Sequence, residues 1–180
     1  KIADVKYALS KEGGKNKKWL SKNYPRVHFA QSFSEVLKDH TINSVIIATP
    51  IKTHYALARQ ALIAGKHVFV EKPMTDNVSQ ARALVKLAQK QKRALFIGHT
   101  FLYHPIFETI KKIDKRDPII SAHFEWHKWG SFHENIKWNL LVHDVALLLK
   151  LLGNPFDGAQ GKPIRSKLLY KQGVISSGDI

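Results

Sequence analysis

The 180-residue chain has no cysteine, which excludes disulfides and thiolate metal sites and fits a reducing, cytoplasmic setting. No apolar run is long enough to cross a bilayer; Val145 to Leu152 comes nearest, and Lys150 interrupts it. Nothing at the N-terminus reads as a signal peptide. No G-x-G-x-x-G occurs anywhere, so the chain lacks the turn that brings a backbone up to a pyrophosphate at a helix N-terminus. Gly13 and Gly14 follow an apolar run, but their spacing is wrong for that role and reads as a plain turn. Acidic residues are scarce as well, 14 against 29 Lys and Arg, for a formal net charge of +15.

Such a charge raises the question of nucleic acid. The cations, however, are spread over several predicted helices, Lys11 to Lys22, Lys86 to Arg93, Lys111 to Arg116 and Lys162 to Lys171. Solvated helix faces are the ordinary explanation, so no nucleic-acid or membrane partner is expected. The milder functional reading is a field that attracts an anionic substrate or phosphates. With 44% hydrophobic residues and clear periodicity, the chain can bury a real core.

What is present is organised around Val45 to Thr75, VIIATPIKTHYALARQALIAGKHVFVEKPMT. Two apolar runs, VIIA and HVFV, flank a helical repeat with Ala56, Leu57, Ala61, Leu62 and Ala64 as its apolar face. Thr53 reads as the N-cap and Gly65 as the left-handed C-terminus of that helix. A crossover between strands apolar on both faces is the unit of a parallel sheet covered by helices. Ligands in such sheets sit beyond the C-terminal strand ends, here Thr49 and Pro50, then Glu71, Lys72 and Pro73. Glu-Lys-Pro taken alone reads equally as a surface ion pair and a turn.

The alternation extends in both directions. Val5 to Ser10 and Val27 to Ala30 are predicted strands, and Ser32 or Ser34 caps a short helix that packs Phe33, Val36 and Leu37. Thr75 or Asp76 is the expected cap of a long helix with Val78, Ala81, Leu84, Val85 and Ala88 on one face, and Ala94 to Gly98 returns as a strand. This is an α/β, Rossmann-like, doubly wound parallel sheet. From His104 the pattern changes. Pro105 opens a helix with Ile106, Phe107, Ile110 and Ile113 on its apolar face. Ser121 to His127 alternates as a one-sided strand, and Trp138 to Leu152 is an apolar helix. The change marks a boundary near Tyr103, giving residues 1–103 and 104–180 as two domains, the second the start of an α+β domain with an antiparallel sheet.

The combination ATP-x-x-x-H with AGKHVFVEKP resembles the nicotinamide-domain signature of the glucose-fructose oxidoreductase, inositol dehydrogenase and rhizopine-catabolism (Gfo/Idh/MocA) family, over about Val5 to Gly153. The resemblance implies an NAD(P)-dependent oxidoreductase with NAD or NADP as cofactor. It implies a sugar, sugar nucleotide or cyclitol as substrate and a homo-oligomer when full length. It makes Val5 to Ser10 the family's second strand, so that the chain begins after the phosphate loop and stops short of most of the second sheet. Ser10 and Lys11 stand where NAD-preferring relatives commonly place an acidic residue on the ribose, a departure that leans towards NADP.

The same resemblance makes Lys72 catalytic, with Glu71 holding its ammonium and Pro73 in a cis peptide that aims it. Thr49, Pro50, His54 and His99 then line the dinucleotide; His54 reads equally as an exposed first-turn residue. His143 and Asp144 match an HD pair on an apolar helix, with His143 as the base acting on the oxygen that Lys72 polarises. Taken alone, a histidine on such a helix is more often a hydrogen-bonded core residue. Asn139, four residues earlier, replaces the family's aspartate; it can orient the imidazole but not stabilise an imidazolium by charge. Tyr103, His104, Trp126, Trp129 and His133 are candidates for a sugar site. His123 and His127 share a strand face without a third ligand, so no metal is expected. The competing reading is a non-catalytic relative or truncated fragment that keeps the fold without productive cofactor binding.

Overall fold

Val45, Ile47, Val68 and Val70 point to one face of two neighbouring strands and are all buried, and around them the first unit of the chain is built. The computed structural model describes residues 3–11, 13–114, 122–125 and 140–152. The chain divides into two compact units, Lys1–Ile97 and Gly98–Ile180.

In the first unit strands and helices alternate: β1 (Tyr7–Ala8), α1 (Gly13–Asn23), β2 (His28–Phe29), α2 (Phe33–Lys38), β3 (Ser44–Ile47), α3 (Ile51–Ile63), β4 (His67–Val70), α4 (Val78–Lys90) and β5 (Leu95–Ile97). β1 and β2 pair in parallel, and β3, β4 and β5 form a second parallel sheet in that order. The α/β class and the parallel pairing are as expected. Ala58, Ala61 and Leu62 of α3 and Leu84 and Ala88 of α4 cover the valine face. The opposite face carries Ile46, Phe69 and Phe96 in register, the two rings stacked at 5.3 Å, with Ile46 72% exposed.

Helix faces differ from the expected ones in detail. On α3 the buried residues are His54, Ala58, Ala61 and Leu62, while Ala56 and Ala64 face outward. The stripe begins at a histidine because that ring finds hydrogen-bond partners inside. On α4 the buried residues are Leu84 and Ala88, and Val78 and Val85 are exposed.

Both helices end in the same motif. After α3, Lys66 N–H donates to Ala61 O and Gly65 N–H to Leu62 O, with Gly65 at φ 72°. After α4, Arg93 N–H donates to Ala88 O and Lys92 N–H to Gln89 O, but Lys92, at φ 53°, takes the glycine position. These are Schellman closures, one with the residue that suits it and one without.

The two sheets meet at Asp39. Its carboxylate accepts from Lys6 Nζ (2.6 Å), Tyr7 Oη (3.0 Å) and both the backbone N–H (2.8 Å) and hydroxyl (2.7 Å) of Thr41. Its carbonyl, with that of Ile42, takes the buried ammonium of Lys66 at 2.8 and 2.9 Å. Donation from Lys6 and Thr41 holds the Asp39 carboxyl well below the usual carboxylate range, and the same pairing raises Lys6.

In the second unit a single 3-10 turn, Thr100–Tyr103, precedes α5 (Pro105–Asp114), and α6 spans Val142–Leu152. Phe107 is the buried anchor of α5, whereas Ile106 and Ile113 are exposed, contrary to the expected face. A wider turn at Leu140 and Leu141 leads into α6, and Trp138, the expected start of this helix, lies outside the described residues. Ala122 to Glu125, the described part of the expected strand, carry no regular structure. Trp126, His127, Trp129, His133 and Asn139 lie outside the described residues. Among the described residues no helix is long and apolar enough to cross a membrane, and no group of three His, Cys, Asp or Glu could hold a metal ion.

Two substitutions test these closures. Lys92→Gly relieves a left-handed non-glycine residue and is expected to raise unfolding stability by about 0.5–1 kcal/mol in urea denaturation. Asp39→Asn lowers the denaturation midpoint at pH 7. Because the native carboxyl titrates below its unfolded value, the contribution is present above the usual carboxylate range and is lost as pH falls through the native value. The gap between parent and variant midpoints therefore narrows as pH falls towards the acid limit.

Candidate active site

The β3–β4 ladder brings two strand ends together. Ile47 pairs with Val70, and the next amide, Glu71 N–H, donates to Ile47 O at 2.9 Å. Thr49–Pro50 and Glu71–Lys72–Pro73 therefore leave the sheet side by side at its C-terminal edge, where α/β sheets bind ligands.

Pro50, not Thr53, is the N-cap of α3, with φ −58° and ψ 141° and no side-chain cap bond. A proline supplies the extended geometry before the first turn without a donor to satisfy. Thr53 lies inside that turn, where its N–H and its hydroxyl both donate to Pro50 O, at 2.9 and 2.7 Å. Thr49 Oγ1 is 2.6 Å from Thr53 Oγ1. Since the Thr53 proton is committed to Pro50 O, Thr49 donates to Thr53. The exposed Thr49 hydroxyl is left with lone pairs alone, an acceptor oriented at the strand end.

His54, expected to line a dinucleotide or sit exposed, is not exposed. Its ring is 1% exposed, with Nε2 at 2.6 Å from Thr49 O and Nδ1 at 2.9 Å from Pro73 O. No ring nitrogen is left over for a ligand.

The Lys72–Pro73 peptide is cis, as expected. Lys72 itself is half-buried. The Glu71 carboxylate accepts from the backbone N–H of Lys72 (3.3 Å), so the described contact fixes the main chain at this residue. Beyond it, Thr75 is buried; its hydroxyl accepts from Asn77 N–H (3.1 Å) and donates to Gln80 Oε1 (2.8 Å). The cap of α4 is Asn77, whose side chain accepts from Gln80 N–H, and neither Thr75 nor Asp76 takes that place. An Asx cap two residues later leaves Thr75 to close the turn behind Lys72.

Ser10 lies after β1, where its hydroxyl accepts from Asn16 Nδ2 of α1 at 2.7 Å. Gly13 and Gly14 form the first turn of α1, and a Cβ on either would meet nothing within 4 Å. No close approach there demands glycine.

In the second unit His99 precedes the 3-10 turn and its carbonyl accepts from Leu102 N–H at 3.1 Å. His143, on the first turn of α6, is buried, its ring edge-on to Phe101 with centroids 4.7 Å apart. Asp144 is buried beside it.

Three residues that tie loops of this unit carry no periodicity and escape a reading by pattern: Asp39, Lys66 and Asn77. For Lys66 a signal did exist. A lysine between a helix-ending glycine and a fully apolar strand has no route to solvent except past the neighbouring loop, so its ammonium meets carbonyls.

Comparison with known proteins places this arrangement. Residues 5–99 match the model of the Gfo/Idh/MocA oxidoreductases, described as an oxidoreductase family with an NAD-binding Rossmann fold. The uncharacterised oxidoreductase YdgJ of Escherichia coli is 30% identical over 86% of the chain and 50% of its own length. UDP-N-acetylglucosamine 3-dehydrogenase of Acidithiobacillus ferrooxidans is 32% identical over 62% of the chain and 36% of its own. The NADP-dependent scyllo-inositol 2-dehydrogenase IolW of Bacillus subtilis is 30% identical over 59% and 30%. The chain thus spans half the length of YdgJ or less of the others. Among solved structures, an NAD-binding protein of Listeria innocua shares the fold at 23% identity, with a TM-score of 0.71 over 84% of the chain and 49% of its own. With its parallel ladder, its ATP and EKP strand ends and a family match over residues 5–99, the chain belongs to the Gfo/Idh/MocA oxidoreductase family.

Proposed function

We propose that the protein is an NAD(P)-dependent oxidoreductase acting on a secondary hydroxyl of a sugar, sugar nucleotide or cyclitol. One observation carries this reading: the β3–β4 register, with the Glu71–Ile47 bond, sets Thr49 and Lys72 on adjacent strand ends at the ligand edge of a parallel sheet. The names of two relatives, a sugar-nucleotide dehydrogenase and an inositol dehydrogenase, support the substrate class.

The residues present fit a nicotinamide dinucleotide at that edge. Thr49 offers an oriented acceptor for a hydroxyl or amide, Pro50 opens the first turn of α3, whose dipole favours an anion, and Lys72 brings a cation. When bound, the cofactor supplies the hydride acceptor or donor. Lys72 then donates to the substrate oxygen and stabilises negative charge developing there. Glu71 holds the Lys72 main chain, and Thr75 closes the turn behind it. His143 is assigned the hydroxyl proton, a role typically contributing roughly 10²- to 10⁴-fold. Asn139 is assigned to orient that imidazole, and His99 and Ser10 to flank the cofactor.

A second reading, a non-catalytic relative, is favoured by Asn139, which stands where the resembling family places an aspartate. Fluorescence titration with NADPH separates the readings. Saturable binding by this chain supports the first, and Thr49→Val should weaken it about 3- to 10-fold, the loss of one hydrogen bond. No binding at millimolar NADPH supports the second.

For the chemistry, Lys72→Ala in the intact protein is expected to lower kcat by about 100-fold or more and leave NADPH affinity within about threefold. Equal turnover in variant and parent would remove Lys72 from the mechanism. His143→Ala is expected to cost less, about 10- to 100-fold, since asparagine gives the imidazole no charge support.

A further inference from the structure

His54 joins two backbone groups that the sheet by itself does not connect. Thr49 O belongs to the segment leaving β3 and Pro73 O to the segment leaving β4, and the ring lies between them at 2.6 and 2.9 Å. Both partners are carbonyl oxygens, which only accept, so the ring is the sole source of donors between them, and a neutral imidazole has one N–H to give. The ring itself is 1% exposed, so its own polar atoms depend on protein partners. The ring stands four residues after Pro50, one turn into α3, so the helix that packs Ala58, Ala61 and Leu62 into the core also holds the imidazole in place.

We propose that His54 is a positioning residue for Lys72. Lying between the carbonyls of Thr49 and Pro73 and donating there, it holds the Pro73 carbonyl, one residue beyond Lys72, near the segment that carries Thr49. The ladder alone ends at Glu71 N–H; His54 extends the tie past the strand ends, across the residues assigned to ligand and substrate. The proposal rests on the role given to Lys72, but its geometry can be tested without cofactor or substrate.

The test uses the labelled chain and three spectra. In a long-range proton–nitrogen spectrum of the histidine rings, His54 should show an N–H signal sheltered from exchange. A ring with no sheltered N–H overturns the tie between the two segments. In His54→Leu the Lys72 side-chain signal should shift while that of Lys66, bonded to Asp39 O and Ile42 O, stays. Amide exchange at Thr53 and Glu71 should quicken roughly 5- to 10-fold relative to Val68, whose N–H is bonded to Ala94 O in the sheet, as expected for one lost hydrogen bond. An unmoved Lys72 signal, or equal acceleration at Val68, overturns the proposal, because a purely structural histidine would loosen the unit as a whole. His54→Gln, which keeps a donor, should restore part of the Lys72 shift, and should His54→Leu fail to fold, this variant and the ring spectrum decide. Failure of NADPH to bind would count against the oxidoreductase reading and leave each of these readouts unchanged.

Discussion

The last rung of a parallel ladder, Glu71 N–H to Ile47 O, is the constraint on which the site depends. Parallel strands joined by a right-handed crossover end on the same side, so whatever follows each strand emerges at one edge. Here those followers are Ala48-Thr49-Pro50 and Glu71-Lys72-Pro73. A slip of one residue between β3 and β4 would turn Val45 and Ile47 away from α3 and α4, and burial of the valine face resists it. The same packing that stabilises the sheet therefore sets the spacing of the groups at its end.

Main-chain carbonyls then take over where the ladder stops. Lys66 and His54 are both buried, and both direct nitrogen atoms at carbonyl oxygens, Lys66 at the loop entering β3 and His54 at the loops leaving β3 and β4. A buried polar side chain is stabilising only when it finds hydrogen-bond partners, and each of these residues finds them on backbone at a turn. Loops that would otherwise be held by a single bond at each end are thereby tied from inside. This gives AGKH and TP-x-x-x-H a physical content independent of any ligand.

The parts of the fold that periodicity governs were legible in the sequence: the alternation of strands and helices, the parallel pairing, Gly65 at its helix end and the placement of Lys72 just past a strand. Helix caps were less so. Thr53 has the right side chain for a cap, but Pro50 claims the position through its backbone, and Asn77 outcompetes Thr75 and Asp76 because Thr75 is drawn inward to Gln80. His54 was misread for a related reason. An imidazole near a helix start looks like a surface residue unless one knows that two carbonyls face it, and that depends on β4, 13 residues beyond it in sequence. The helix faces of α4 and α5 were drawn too wide, since hydrophobic residues such as Val78 and Ile106 remain exposed where no neighbour covers them.

Reaction class and substrate are encoded at different places in such a chain. Hydride chemistry belongs to the cofactor, so the protein's share at the sheet edge is small: an acceptor, a cation and the bonds that keep them apart by a fixed distance. Those groups sit on the most constrained backbone of the molecule and produce the recognisable strings ATP and EKP. On the proposed reading, recognition of a particular hydroxyl falls to side chains outside the sheet. The register that places Lys72 is set within the first unit alone, so sequence changes outside that ladder leave its strand ends where they are.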